Sequence, residues 1–144
     1  MKKQSGFTLL EIMVVVVIMG MLSSIVAINV MGSKDQAAIE KAGIDIKNLG
    51  TALQLYKLDN SQYPTTDQGL DALIRKPTSA PEPKRYKKGG YLQQELPQDP
   101  WGNDYIYMRP GVHNPDGYDL YSAGPDGDQD TQDDIGNWKG ADSE

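Results

Sequence analysis

The sequence contains no cysteine and only one histidine, His113. The lack of cysteine excludes a disulfide framework, a thiolate metal site and a cysteine nucleophile, and one imidazole cannot form a clustered histidine site. Basic residues are also few, because 14 Lys and Arg stand against 20 Asp and Glu and leave a formal net charge of −6. Phosphate binding depends on clustered Lys and Arg, so we expect no nucleic acid partner.

Motifs of catalysis are missing as well. The sequence has no phosphate-cradling glycine motif, and its one histidine lies in a Pro/Gly-rich loop without a Ser-His-Asp candidate. Asp99 and Asp104 flank Trp101, a placement that could suggest a glycosidase pair, but turn formation explains these residues better. We therefore expect that the chain is not an enzyme.

The apolar residues are concentrated near the start of the chain, between Phe7 and Met31. The run from Ile12 to Val30 is nearly uninterrupted, and about 20 apolar residues are enough to cross a bilayer as a helix. Two lysines precede this run, at positions 2 and 3, and favour a cytoplasmic N-terminus with the rest of the chain across the membrane. A chain of 144 residues has room for one further globular domain.

Three interpretations of this N-terminal segment compete. A secretory signal peptide would be cut after Ala27, a plain signal anchor would stay uncut, and a leader peptide would be cut after Gly6. Glu11 favours the leader, because a carboxylate inside an apolar spanning segment is costly and the other two interpretations have no use for it. If the mature chain begins at Phe7, Glu11 lies one helical turn from the new α-amino group and can pair with the amine of a neighbouring subunit.

The middle of the chain predicts a long helix. No proline occurs before Pro64, so the helix is expected to run from about Phe7 to about Leu58. Its second half has apolar residues at three- and four-residue steps, which indicates either a coiled-coil seam or a packed core. Gly43 and Gly50 favour close packing under a sheet. The apolar stripe consists of Ile39, Ala42, Ile46, Leu49, Leu53 and Tyr56.

Shorter elements are expected after this helix. A second short helix should have Thr65 or Thr66 as its N-cap and Leu70, Leu73 and Ile74 on its buried face. Strand composition occurs at residues 104–108, 118–122 and 135–138, and a turn is expected at 101–103. A long helix on a small antiparallel sheet is an α+β arrangement.

Residues 76–88 form a proline-rich segment that should be a surface loop. Its basic run is either a solvated face or a contact between subunits. The run consists of Lys84, Arg85, Lys87 and Lys88.

Seven aspartates and no Lys or Arg lie between Asp116 and Asp134. So many carboxylates repel one another unless they are well solvated or bind a cation. Their oxygen-rich spacing suits calcium, which takes six to eight oxygen ligands, including carbonyls. The loop is not an EF-hand, because Thr131 stands where glycine is required and Asn137 where an acidic residue is required. The spacing leaves a calcium site and a solvated acidic loop both open.

The hexapeptide Gly6-Phe7-Thr8-Leu9-Leu10-Glu11 resembles the leader signal of type IV pilins and pseudopilins. In that superfamily a dedicated peptidase cuts after the glycine and methylates the new N-terminal phenylalanine. One position departs from the pattern, because many relatives have a proline where this chain has Ile28, and proline lets the helix bend or melt. The segments 56–60, 63–66, 68–70, 96–102 and 133–138 resemble the major pseudopilins of bacterial type II secretion.

This resemblance implies a type IV pilin-like fold with a cleaved leader at 1–6, a transmembrane and polymerisation helix at 7–31 and a periplasmic domain at 32–144. It also implies one bound calcium ion (Ca2+) in the acidic loop. The ligands it implies are the carbonyl of Ala123 and the side chains of Asp126 and Asp133, together with Asp128, Thr131 and Asp134.

The implied function is structural. The chain would sit in the bacterial inner membrane and polymerise with copies of itself into a periplasmic pseudopilus that drives export of folded proteins across the outer membrane. Its partners would be a prepilin peptidase, minor pseudopilins and an inner-membrane assembly platform. Two alternatives stay open: a type IV pilin of an adhesive or motility fibre, and a membrane-tethered calcium-binding periplasmic module. The missing cysteine pair and the segments around Trp101 and Trp138 disfavour the pilin.

Overall fold

The computed structural model describes residues 6–138, except for the side chains of residues 24–33. The chain divides into two compact units, Met1–Ala37 and Ala38–Glu144. One helix, α1, spans Leu9–Asn60 and contributes to both. The predicted long helix is therefore confirmed, and its backbone stays helical at Ile28. The helix ends where Ser61 adopts the left-handed conformation, with φ of 66°.

In the first unit, Thr8 caps the start of α1. Its hydroxyl oxygen accepts a hydrogen bond from the backbone N–H of Glu11 at 3.3 Å, as an N-cap threonine does. The apolar side chains from Phe7 to Leu22 are exposed. Among the residues with described side chains, which stop at Ser23 and resume at Lys34, no helix is both long and apolar enough to span a membrane.

In the second unit, the apolar stripe of α1 lies in the core. Ala42, Ile46, Leu49, Leu53 and Tyr56 are buried, and four of them pack in one cluster with residues of the sheet. The prediction of a packed core is confirmed.

Three positions on this half of α1 refine that prediction. Ile39 is 40% exposed, so the buried stripe begins one turn later than predicted. Gly43 faces open space, which makes its predicted close packing wrong. Gly50 does pack closely, since a Cβ there would lie 3.2 Å from the Tyr118 hydroxyl.

The second helix is a single 3₁₀ turn, Leu70–Leu73. Its N-cap is Gly69, which makes no side-chain cap, so the predicted threonine cap is wrong for this helix. Thr65 instead caps the preceding turn, where its hydroxyl accepts the Gln68 N–H at 3.2 Å and the Gln68 side chain accepts the Thr65 N–H at 3.1 Å. The Thr66 hydroxyl instead forms hydrogen bonds with the backbone of Arg109: it accepts from the N–H and donates to the carbonyl oxygen.

The buried face of this turn differs slightly from the prediction. Leu70 and Leu73 are buried as expected, but the third buried residue is Ala72, and Ile74 is only half-buried. A 3₁₀ turn repeats every three residues, so Leu73 lies on the same face as Leu70. The α-helical spacing behind the prediction wrongly adds Ile74 to that buried face.

The sheet has three antiparallel strands in the order β1-β2-β3: β1 is Ile106–Met108, β2 is Asp119–Ser122 and β3 is Ile135–Gly136. Leu120 of β2 pairs with Tyr107 of β1, and Ser122 pairs with Ile135. Each strand is shorter than predicted. Asp104 forms an isolated bridge with Gln98 ahead of β1, and beyond β3 the Asn137 side chain bonds the backbone of Tyr118 and Leu120.

Asp119 is a buried carboxylate that fixes the β1–β2 connection, with only 2% of its surface exposed. Its oxygens accept hydrogen bonds from the backbone N–H groups of His113 at 2.8 Å and Asn114 at 3.0 Å. Burial alone would raise the pKa of Asp119, but these N–H donors outweigh it and leave the pKa below its ordinary value. The His113 ring lies flat against Trp138, with 3.8 Å between the ring centres.

We expect Asp119→Ala to lower the free energy of unfolding at pH 7 by about 3 kcal/mol, because hydrogen bonds to a charged group contribute about 1.5–3 kcal/mol each. A carboxyl whose folded pKa is lowered stabilises the fold above its unfolded pKa of about 3.9, and this contribution is lost as the pH falls through the folded value. Urea unfolding at pH 7 and pH 2 measures the difference, which should shrink at pH 2. Exposed Asp116→Ala is the control and should change stability by less than about 0.5 kcal/mol. A difference that is equally large at pH 2 would contradict this role for Asp119.

Candidate metal and assembly sites

The acidic loop leaves β2 at Ser122 and returns to the sheet at Ile135. Its curvature depends on residues with positive φ, namely 70° at Gly124, 73° at Gly127 and 65° at Asp130. Gly124 also lies against the returning chain, because a Cβ there would be 2.6 Å from the Asp133 carbonyl oxygen. The two ends of the loop are therefore in close contact.

Oxygen atoms from three predicted ligands meet inside the loop. The Thr131 hydroxyl donates a hydrogen bond to the Asp133 carboxylate and lies 3.4 Å from Oδ1 of Asp134. Asp134 is buried, and its Oδ2 accepts the N–H of Asp130 at 2.9 Å. The N–H of Asp126 points to Oδ2 of Asp133 at 3.4 Å.

The Thr131 hydrogen bond is the main cause that lowers the pKa of Asp133, and burial acts in the opposite direction. An ionised Asp133 is the form that a cation needs, because metal ligands must be deprotonated.

The side chains of the remaining predicted ligands, Asp128 and Ala123, make no described hydrogen bonds in the loop. Asp128 is exposed, and its described contacts are made by its backbone: its N–H donates to Asp126 Oδ1 at 2.9 Å, and its carbonyl oxygen lies 3.4 Å from the Thr131 hydroxyl. Ala123 is buried at the start of the loop. Within residues 6–138, no three carboxylate or imidazole side chains are arranged so that they could hold a metal ion.

The donor chemistry of this loop nevertheless fits calcium. All of its candidate donors are hard oxygens, and calcium accepts carbonyl and hydroxyl oxygens beside carboxylates. The stretch from Asp116 to Asp134 contains no Lys or Arg to neutralise the carboxylates.

The predicted turn around Trp101 is present, and it contacts the acidic loop. Asp99 is buried, and its Oδ1 accepts the backbone N–H groups of Trp101 at 3.1 Å and Asn103 at 2.8 Å. Its Oδ2 accepts the hydroxyl of buried Ser122 at 2.6 Å. Asp104 is exposed and bonds Gln98, so the two aspartates around Trp101 have separate structural roles. Sequence reasoning found the turn but missed Ser122, because a serine in a short strand carries no pattern of its own.

The basic loop is exposed at the C-terminal end of α1. The N–H of Arg85 donates to the Asn60 side chain at 3.1 Å, and Lys84, Lys87 and Lys88 are exposed. Positive charge near a helix C-terminus is favourable, which supports a local structural role for this loop.

The predicted processing site is accessible. Gly6 and Phe7 lie ahead of the helix and are exposed, Phe7 by 79% of its surface. Glu11 is exposed in the first turn of α1. Residues 1–5, the remainder of the predicted leader, lie outside the described residues.

Comparisons with known proteins agree over almost the whole chain. Residues 29–138 match the family described as "Type II secretion system (T2SS), protein G", and residues 1–27 match the "Prokaryotic N-terminal methylation motif". The chain is 57% identical over 137 residues to the type II secretion system core protein G of Aeromonas hydrophila, which covers 95% of this chain and 94% of that protein. It is 56% identical over 139 residues to the protein of the same name from Vibrio cholerae, which covers 96% and 94%.

A solved structure is similar as well. The crystal structure of the major pseudopilin from the type 2 secretion system of enterohaemorrhagic Escherichia coli superposes with a TM-score of 0.71 at 48% identity, covering 79% of this chain and 93% of that one. With the long helix, the three-stranded sheet and the N-terminal motif, these matches establish the fold as pilin-like α+β. The chain belongs to the type II secretion system protein G family, the major pseudopilins.

Proposed function

We propose that this chain is the structural subunit that polymerises into the periplasmic pseudopilus of a type II secretion system and thereby drives export of folded proteins. The observation that carries this proposal is the family match over residues 29–138 behind an N-terminal methylation motif at residues 1–27. The exposed apolar side chains from Phe7 to Leu22 support it, because an apolar surface of this size needs a bilayer or neighbouring helices to cover it.

Processing and assembly are assigned to the start of α1. A prepilin peptidase cuts between Gly6 and Phe7 and methylates the new amine, and residues 7–31 then anchor the subunit in the inner membrane with the domain at 32–144 in the periplasm. Glu11 pairs with the Phe7 amine of a neighbour as helices bundle. The assembly platform and the minor pseudopilins are the further partners.

The acidic loop is assigned to calcium. The carbonyl of Ala123 and the side chains of Asp126 and Asp133 would hold the ion, with Asp128, Thr131 and Asp134 as additional oxygen donors. Bound calcium supplies positive charge that offsets the repulsion between the carboxylates. It would close a loop that has no disulfide to hold it.

A gene deletion tests the proposed function against the adhesive or motility fibre. A strain that lacks this chain should fail to release folded secreted proteins into the medium, while surface adhesion and twitching stay normal, and the intact gene should restore export. Normal export together with lost adhesion or motility would overturn the proposal in favour of a type IV pilin.

A further inference from the structure

The start of the acidic loop is held by two buried side chains that no assigned site includes. Ser122 is completely buried and Asp99 is 4% exposed. The Ser122 hydroxyl donates to Oδ2 of Asp99 at 2.6 Å, and its oxygen accepts the backbone N–H of Gly124 at 3.1 Å. A hydroxyl-to-carboxylate hydrogen bond this short belongs to the strong, charge-assisted class.

The Gly124 N–H belongs to the same planar peptide unit as the Ala123 carbonyl. In a trans peptide the N–H and the C=O point in opposite directions, so an acceptor that fixes one also fixes the other. Ser122 therefore determines the direction of the Ala123 carbonyl oxygen. The same contact holds the Cα of Gly124 close to Asp133. A Cβ added at Gly124 would lie 2.6 Å from the Asp133 carbonyl oxygen.

Asp99 determines where the Ser122 hydroxyl donates its hydrogen and where it accepts one. An ionised carboxylate can only accept hydrogen bonds, and a serine has one hydrogen to give. With that hydrogen committed to Asp99, the lone pairs of Ser122 are left for the Gly124 N–H. The other oxygen of Asp99 is held by the N–H groups of Trp101 and Asn103, so the turn at residues 99–103 sets the carboxylate in place.

We propose that Asp99 and Ser122 are positioning residues that orient the Ala123 carbonyl and seat Gly124 against Asp133, and so set the calcium affinity of the acidic loop without touching the ion. This inference rests on the calcium site of the proposed function. Residues behind metal ligands commonly change metal affinity by about 10-fold to 100-fold when they are replaced.

The test is calcium titration of the full-length subunit in detergent by isothermal calorimetry, together with melting temperatures in calcium and in EGTA. Asp99→Asn keeps the oxygen that accepts from Trp101 and Asn103, but it places an amide donor against Ser122 and releases the hydroxyl hydrogen. Ser122→Ala removes the acceptor of the Gly124 N–H. Each variant should weaken calcium binding at least about 10-fold, and the double variant should bind no more weakly than Ser122→Ala alone.

Asp119→Asn is the matched control. It too alters a buried aspartate that accepts backbone N–H groups, but those groups lie in the β1–β2 connection. It should lower the melting temperature equally in calcium and in EGTA and leave the calcium dissociation constant within twofold of the parent.

The outcomes separate positioning from simple stabilisation. If Asp99→Asn and Ser122→Ala melt at lower temperature but bind calcium within twofold of the parent, the positioning role is overturned. If Ser122→Ala does not fold, the Asp99→Asn titration decides alone. A parent chain that binds no calcium overturns both the site and this inference. The gene deletion tests the pseudopilus function independently of the calcium titrations and the melting temperatures.

Discussion

Glu11→Ala should abolish fibre assembly while the globular domain stays folded. In the proposed bundle of helices the Glu11 carboxylate would be surrounded by apolar side chains, and loss of one partner from a buried charge pair costs about 3–5 kcal/mol. At about 1.4 kcal/mol per tenfold, this cost would weaken each contact between subunits by roughly 100-fold to several thousandfold. Electron microscopy of sheared fibres and immunoblotting of the fibre fraction measure the effect.

Two variants sharpen this experiment. Glu11→Gln has the same shape without the charge and should fail as well, because the neutral amide cannot neutralise the Phe7 amine. Asp35→Ala removes an exposed carboxylate farther along the same helix and should assemble normally. Normal fibres from Glu11→Ala would contradict the pairing between Glu11 and the Phe7 amine of a neighbouring subunit.

Removal of calcium should lower the melting temperature by about 10 °C and stop export. A ligand at 100 times its dissociation constant stabilises the native state by about 2.7 kcal/mol, and each kcal/mol shifts the melting temperature of a domain of this size by about 4 °C. Thermal unfolding of the full-length subunit in calcium and in EGTA measures the shift.

The calcium prediction has its own controls. Magnesium at the same concentration should not replace calcium, because it demands octahedral geometry with short bonds and keeps its waters. Asp133→Asn should melt at the same low temperature with and without EGTA. A parent protein whose melting temperature does not change on chelation would contradict the calcium site.

The sequence alone was enough to predict the helical half of the domain. Burial of Ala42, Ile46, Leu49 and Leu53 follows from helical spacing, which is a local property. Ile39 breaks the pattern because it lies at the start of the second unit, where packing depends on neighbours that spacing does not reveal. The predicted threonine N-cap of the 3₁₀ turn is wrong for a similar reason, because the tertiary contact between Thr66 and Arg109 cannot be seen in the local sequence.

The burial of Asp99 and Asp119 could not be predicted from the sequence. Asp is usually a surface residue, so the sequence predicts a turn at Asp99 and a strand at Asp119 but not the burial of either. Their burial is stabilised by backbone N–H groups from turns that fold back over them, and only the tertiary structure shows those turns. The acidic loop shows a different limit: its aspartates and their oxygen-rich spacing are visible in the sequence, but the close contact of Gly124 with Asp133 is visible only in the fold.

The most direct test of the central claim is the mass of the subunit extracted from sheared pseudopilus fibres. A filament protein processed between Gly6 and Phe7 should give a chain that begins at N-methylated Phe7 and lacks residues 1–6. A fibre subunit that begins at Met1, or a chain found only as a soluble domain that begins at Ile28, would contradict the account.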